Sequence, residues 1–461
     1  MSRELKQDSV SFFGSLMMGV AGSAPASTIA AGTATLIAAA GAFAPVALLV
    51  FAIPMLGIAK AYHALGSRDA NAGASYQWTS AIFGRGLGFF AGWSLLVATL
   101  LYMVTGTVPI ATATLNVIAP ALVGNVVVTS AVASIWFIAV SGIVVAGITA
   151  TSRVQTIMTL AQLVILFVIL GAALLHIFAN GAAGRFDMDW LGRGLTMKGL
   201  AASSLIAVYF FWGWDVTSNL GEETVGGGEG AGLGGLASIF ITILLYTGFA
   251  TVALLVFPDT DNLSDNLIFD IANQVGMSSG GALLASAVVI LSSIAALQAT
   301  MIMFSRTLFA MGRDGSMPSS FGKVDGRTQS PTRATYAIIA LGLALIWGSA
   351  LMPSVQLVLS SSVTAVGFQV NYYFAIAGLA AVWVFRDSYK ESIRKWLTLC
   401  LLPGISSIVL IGLGLYAVTT FDLLTNVFGL GSFVLGLCFV WMSFRPASRK
   451  ATVGSLSIGG E

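Results

Sequence analysis

A carboxylate, two indoles and a glycine stand side by side at Trp212-Gly213-Trp214-Asp215, inside an apolar stretch from Leu200 to Leu220. No nucleophile–base pair accompanies them, so the chemistry on offer is recognition rather than bond making. An acid within a membrane-length apolar run is costly, and such acids face cavities where they hold protons or cations. Gly213 weakens the helix beside it, freeing backbone groups to turn toward a ligand. A second interruption falls at Gly22-Ser23-Ala24-Pro25, within the apolar run Ser11 to Gly41. Proline in mid-helix removes a backbone donor and breaks the helix. At such breaks the N–H groups opening one half-helix suit a carboxylate, and the carbonyls closing the preceding half suit an ammonium. The candidate binding residues are Ala21, Gly22, Ser23, Ala24 and Pro25 at the first break, with Ser23 adding a hydroxyl. At the second they are Tyr209, Phe210, Trp212 and Gly213. Small residues at 22–24 also suit close helix packing, and the aromatic rings either stack on a cation or simply pack. Asp215 has three candidate roles: a proton site for coupling, the counter-ion of a cationic ligand, or the N-cap of the lower half-helix.

The elements that must position these residues are membrane helices. The chain is 57% hydrophobic and 9% charged over 461 residues, where a soluble domain carries about a quarter charged residues. Lipid is therefore its main solvent. The net charge of +2 gives no sign of a nucleic-acid partner. With about 20 residues per span, twelve segments are expected at 12–38, 44–65, 86–117, 126–148, 155–178, 200–221, 233–257, 281–310, 334–352, 356–385, 397–418 and 424–444. The first follows Arg3 and Lys6 and runs past Leu36, too long for a cleaved signal core, so it is read as a retained span. Placing both termini inside puts 18 of the 21 Lys and Arg on inner loops and leaves Arg185, Arg193 and Lys198 outside. Asp187, Asp189, Asp259, Asp261, Asp265 and Asp270 fall in outer loops, most simply as a solvated face; the triplet Asn262-Leu263-Ser264 there is a weak glycosylation match. Residues 67–88 are too polar to span and are expected to lie along the inner face with Tyr76, Trp78 and Phe83 at the interface. The glycines of 222–235 read as a flexible connector, since no Lys-Ser/Thr comes after them to make a phosphate cradle. Lys60, His63 and His176 are placed at the interfaces. Cys400 and Cys438 read as buried structural thiols.

Three stretches are similar to the amino acid–polyamine–organocation (APC) superfamily. They are Gly19 to Ser27 (GVAGSAPAS), Phe210 to Glu223 (FFWGWDVTSNLGEE) and Phe304 to Ala334, with Ala72-Gly73-Ala74-Ser75-Tyr76 as a further inner-loop match. The resemblance implies an all-α membrane fold whose twelve transmembrane helices form an inverted repeat of five plus five. The first repeat would span 11–178, the second 200–385, and two additional C-terminal helices 396–445. Helices one and six would be interrupted. Three departures stand out. Ala24-Pro25 replaces the usual third glycine, the loop after Glu223 lacks its usual proline and basic residues, and Gln162 stands where many proton-linked relatives carry a lysine. The resemblance also makes Ser292 and Ser293 a possible sodium-like site, although hydroxyls in membrane helices mostly bond the preceding turn.

Two interrupted helices at corresponding places in two halves point to a transporter's binding site. The expected function is a secondary transporter of amino acids across a bacterial cytoplasmic membrane by alternating access, proton-coupled or exchanging, with a polyamine or other organic cation as the alternative. The partners implied are a small amino compound and membrane lipid; no cofactor, metal or nucleic acid is implied. A channel would show polar lining along several helices rather than polar groups at two breaks, and a sensor would need a signalling domain for which the tails are too short.

Overall fold

The computed structural model describes residues 4–184, 197–259, 263, 266–352 and 355–444. Arg3, Arg185, Asp187, Asp189, Arg193, Asp261, Asn262, Ser264, Asp265, Arg445, Arg449 and Lys450 lie outside the described residues. In lipid every backbone polar group must be satisfied within the chain, and long apolar runs meet that demand as helices. Among the described residues there is no strand, only an isolated bridge between Val10 and Thr224.

Among the described residues, ten helical runs are long and apolar enough to cross a membrane. The first, Phe12–Arg68, is three helices in succession. They are α1 (Phe12–Gly22), α2 (Pro25–Ala40) and, after a short turn at Gly41–Phe43, α3 (Ala44–Arg68). Next come α4 (Ser75–Phe83), α5 (Arg85–Ile118), α6 (Val126–Val145) and α7 (Ile148–Asn180). The second half opens with α8 (Met197–Phe210) and α9 (Val216–Asn219), then α10 (Gly227–Val256), α11 (Leu267–Gln274), α12 (Ser278–Arg313), α13 (Thr332–Ser349) and α14 (Val355–Phe385). The chain ends with α15 (Ile393–Trp396), which passes through a π turn at Leu397–Leu401 into α16 (Leu402–Val418), and with α17 (Leu423–Val440).

The two broken pairs, α1–α2 and α8–α9, sit centrally against α3, α10, α12 and α14. α16 packs on α3 and α14, and α17 on α5 and α14, at the periphery. The first break lies at Ser23-Ala24, where Ala24 adopts φ +49° and Pro25 opens α2. Proline suits that first helical position because its missing N–H would have no partner there. The second break runs from Phe211 to Asp215 and turns at Gly213, with φ +98°.

Several expectations are corrected. The glycines of 222–235 are not a connector: from Gly227 they form the first turns of α10. A Cβ on Gly228 would lie 1.8 Å from the Gly66 carbonyl oxygen, and one on Gly234 2.5 Å from the Ser15 hydroxyl. Small residues here let α10 approach α3 and α1 closely. Tyr76 and Trp78 are buried rather than interfacial, because α4 packs against α5 and α14. The Trp78 indole N–H donates to Asp69 O at 2.9 Å, and its ring meets Tyr62 edge-on at 5.1 Å. His63 is largely buried against α10, its Nε2 3.1 Å from Glu229, and Lys60 Nζ turns to His63 Nδ1 at 3.5 Å. Cys400 is buried as expected, but Cys438 is exposed on α17, a helix with few inward-facing positions.

Candidate functional site

The two breaks meet backbone to backbone. A Cβ on Gly22 would lie 2.1 Å from the Gly213 carbonyl oxygen, and one on Gly213 would lie 2.2 Å from that of Gly22. Only glycine at both positions permits this approach. The structure thus brings Ala21, Gly22, Ser23, Ala24 and Pro25 together with Phe210, Trp212 and Gly213, all buried, while Tyr209 is half-buried beside them.

Aromatic side chains from four other helices close around this contact. Tyr246 of α10 donates its hydroxyl to Ser23 O at 2.6 Å and packs edge-on against Phe210 and Phe211 at 5.0 and 5.7 Å. Tyr102 of α5 meets the Trp212 ring at 5.5 Å, and Tyr62 of α3 meets Trp214 at 5.4 Å. Tyr373 of α14 joins the second break to its acid. The Trp212 indole N–H donates to the Tyr373 hydroxyl at 2.6 Å, and that hydroxyl donates to Asp215 Oδ2 at 3.0 Å.

Asp215 occupies the N-cap position of α9, yet its side chain makes no capping bond. Its other oxygen, Oδ1, meets no donor in hydrogen-bonding geometry among the described residues. The carboxyl is 1% exposed, so an open acceptor lies buried beside aromatic faces. Those are the groups a cation needs.

The donors of the first break are disposed differently. Ser23 N–H donates to Gly19 O at 3.3 Å, Ala24 N–H to Ala21 O at 3.0 Å and Thr28 N–H to Ala24 O at 2.9 Å. Pro25 has no N–H. Ala26 and Ser27 both donate to the Ser292 hydroxyl oxygen, at 3.1 and 3.3 Å. Ser292 therefore bonds across to α2, not to its own preceding turn. Ser293 is buried next to it. On α7, Gln155 Nε2 donates to Ala295 O at 2.7 Å. Gln162, two turns further on, is fully buried with neither amide atom partnered among the described residues.

Beyond α9 the chain is locked by charge. Glu223 takes both Nε and Nη2 of Arg306 at 3.0 Å each, with both side chains buried. Glu222 takes Arg313 at 2.7 and 2.9 Å and accepts the Ala72 N–H at 2.8 Å. Asn219 Nδ2 donates to Ala72 O at 2.7 Å and to the Thr307 hydroxyl at 3.1 Å. Tyr76 hydrogen-bonds Asp314 and, at 2.7 Å, the Ser316 hydroxyl. Sequence reasoning singled out the two glutamates and the arginines only as parts of a pattern, and it missed Tyr373, Tyr246 and Tyr102. These tyrosines lie in helices remote in the chain from both breaks, and no local spacing points to them.

A family profile described as amino acid permease matches residues 8–444. The chain is 24% identical over 375 residues to the low-affinity putrescine importer PlaP of Escherichia coli (strain K12), covering 78% of this chain and 77% of that protein. It is 24% identical over 305 residues to the vacuolar cationic amino acid transporter 4 of Arabidopsis thaliana, covering 62% of this chain and 49% of that one. Against the branched-chain amino acid permease BcaP of Bacillus subtilis (strain 168) it is 21% identical over 325 residues, covering 66% and 67% respectively.

Proposed function

Because this chain belongs to the amino acid permease family, we propose that it carries a small cationic amino compound across the membrane by alternating access. Permeases are transporters rather than enzymes, and the ten long apolar helices among the described residues make this one an integral, multi-pass protein. The finer architecture belongs to the same proposal. It comprises twelve spans, repeats over 11–178 and 200–385 with two further helices over 396–445, and both termini on the cytoplasmic side of a bacterial membrane.

One observation supports the substrate class: the backbone donors of the first break are engaged while the acid of the second break keeps an open oxygen, with the Trp214 indole N–H and the Tyr62 hydroxyl beside it also without partners among the described residues. Every N–H from Ser23 to Thr28 that exists already has an acceptor, whereas Asp215 Oδ1 has no donor in full hydrogen-bonding geometry among the described residues, the nearby backbone N–H groups of Gly213 and Asp215 approaching the carboxylate without completing a bond to that oxygen. An ammonium supplies the donor that the Asp215 oxygen lacks, and a carboxylate placed at the first break must first displace a bond. Relatives named for putrescine and for cationic amino acids fit that chemistry. Trp212 and Tyr373 hold the acid in place, and Trp212 with Tyr102 offers faces for the alkyl chain and the charge.

A second reading keeps the zwitterionic amino acid and makes Asp215 a proton site; the relative named for branched-chain amino acids favours it. In both readings proton linkage or exchange ranks above sodium. The Ser292 oxygen receives two N–H donors at the positive end of α2, which occupies the lone pairs a sodium ion would need. Gln162, uncharged where proton-linked relatives carry a lysine, pulls the other way, and Asp215, the acid within the broken helices, supports the proton reading.

Thermal-shift and binding measurements on purified protein with putrescine, lysine and leucine test the proposal. The expected result is stabilisation by putrescine or lysine at neutral pH. Removing the buried counter-charge with Asp215→Asn should weaken that binding by about 2–5 kcal/mol. Binding should also weaken as pH falls, because proton and cation compete for one carboxylate. Stabilisation by leucine alone, with Asp215→Asn still binding leucine but no longer driven by a pH gradient, overturns the cation reading in favour of the second.

A further inference from the structure

Ser292 lies on α12, 266 residues from Ala26, and is fully buried. Its hydroxyl oxygen receives the Ala26 and Ser27 amides of α2. The opening turn of a helix leaves N–H groups without intrahelical partners and carries partial positive charge. A carboxylate is a stronger acceptor for such a turn than a neutral hydroxyl. Here a neutral hydroxyl from another helix already fills the place. The remaining amides of the break turn back on Gly19, Ala21 and Ala24, and Pro25 offers none.

We infer that Ser292 is a specificity-determining residue: its hydroxyl stands in for a substrate carboxylate at the start of α2 and so disfavours amino acids relative to the amines that lack the carboxylate. The selection works through mispairing. A ligand carboxylate that enters must displace the hydroxyl, while an amine leaves both amides satisfied. Losing one such buried bond changes affinity about tenfold. Removing the hydroxyl reverses the balance, because two buried amides then lack an acceptor that only an anion or water can supply. The serine side chain is compact, and its bonds join two helices, α12 and α2.

This inference rests on the cationic-substrate reading only for its ligand pairs, and the test keeps the two apart. Putrescine and ornithine differ by one carboxylate, as do cadaverine and lysine. The wild-type protein is expected to bind each amine more tightly than its amino acid. Ser292→Ala should raise the amino acid's affinity relative to the amine about tenfold in each pair, and Ser292→Thr, which keeps a hydroxyl, should restore the wild-type preference. A second arm needs no substrate. Acetate should raise the melting temperature of Ser292→Ala but not that of the wild type or of Ser292→Thr. Amine-to-acid ratios unchanged in Ser292→Ala, or acetate acting equally on all three proteins, overturn the inference. An acetate response confined to Ser292→Ala, with no response of any protein to the amines, upholds the role of Ser292 and removes the cationic-substrate reading instead.

Discussion

Gly22 and Gly213 show how narrow the tolerance is at the level of single atoms. Each presents its carbonyl oxygen where the other's Cβ would stand, at 2.1 and 2.2 Å, and Gly213 also holds φ +98°. Gly142 of α6 is a fair contrast, with nothing within 4 Å of a Cβ built on it. Gly22→Ala and Gly213→Ala are each expected to abolish ligand-induced stabilisation and to lower the melting temperature. Gly142→Ala should leave binding intact and add up to about 1 kcal/mol of helix stability. A Gly213→Ala protein that binds like wild type would show that the breaks do not need to touch. Much at this scale was legible from sequence. Gly213, Asp215 and the small residues from Gly22 to Ala24 announce themselves, because an acid and helix-breaking residues are costly in an apolar run. Tyr373 did not, since its bond to Asp215 joins residues 158 apart and a tyrosine in an apolar helix looks like any packing residue.

At the scale of elements, α9 is a single turn of four residues, too short to hold itself. Two ion pairs just past its C-terminus fix its position: Glu223 with Arg306 and Glu222 with Arg313, both arginines from the end of α12. Glu223→Gln leaves a buried guanidinium without its charge partner, so a loss of about 3–5 kcal/mol is expected in thermal unfolding. Glu222→Gln, at a partly exposed pair, should cost markedly less. Asp314, in the turn after α12, adds a pH dependence. Burial holds its carboxyl above the ordinary range, against opposing bonds from Tyr76 and Ser316 and the nearby Arg85 charge. The folded protein thus holds this proton more tightly than the unfolded chain. The resulting stability is complete below the unfolded value of about 4 and is lost as pH rises through the higher folded value. Melting temperature should fall across that window, and Asp314→Asn should remove that part of the slope. The breaks themselves were readable from Pro25 and Gly213. The glycines of α10 were not, because a glycine run signals flexibility in water and close contact in lipid, and only the neighbouring Gly66 and Ser15 decide between them.

For the whole molecule, hydropathy alone conveyed the helical architecture, since lipid admits few alternatives; the close meeting of two breaks far apart in the chain required the fold. Orientation rests on the distribution of Lys and Arg. In a Cys438→Ser background, which removes the thiol on the outer face of the α17 span, cysteines at Lys323 and Arg394 should resist an impermeant reagent applied to intact cells, while one at Asn180 should react. The opposite pattern would invert the topology. The backbone bridge at Val10 has a mechanical consequence. Ser9 and Val10 N–H groups reach Glu223 O at 2.8 and 3.0 Å, and Val225 N–H returns to Val10 O at 2.8 Å. The foot of α1 is thereby stitched to the segment just past α9 by backbone bonds that only proline among side-chain substitutions deletes directly. If α1 swings outward, it either carries the segment past α9 with it, like two blades on one rivet, or unpicks these stitches.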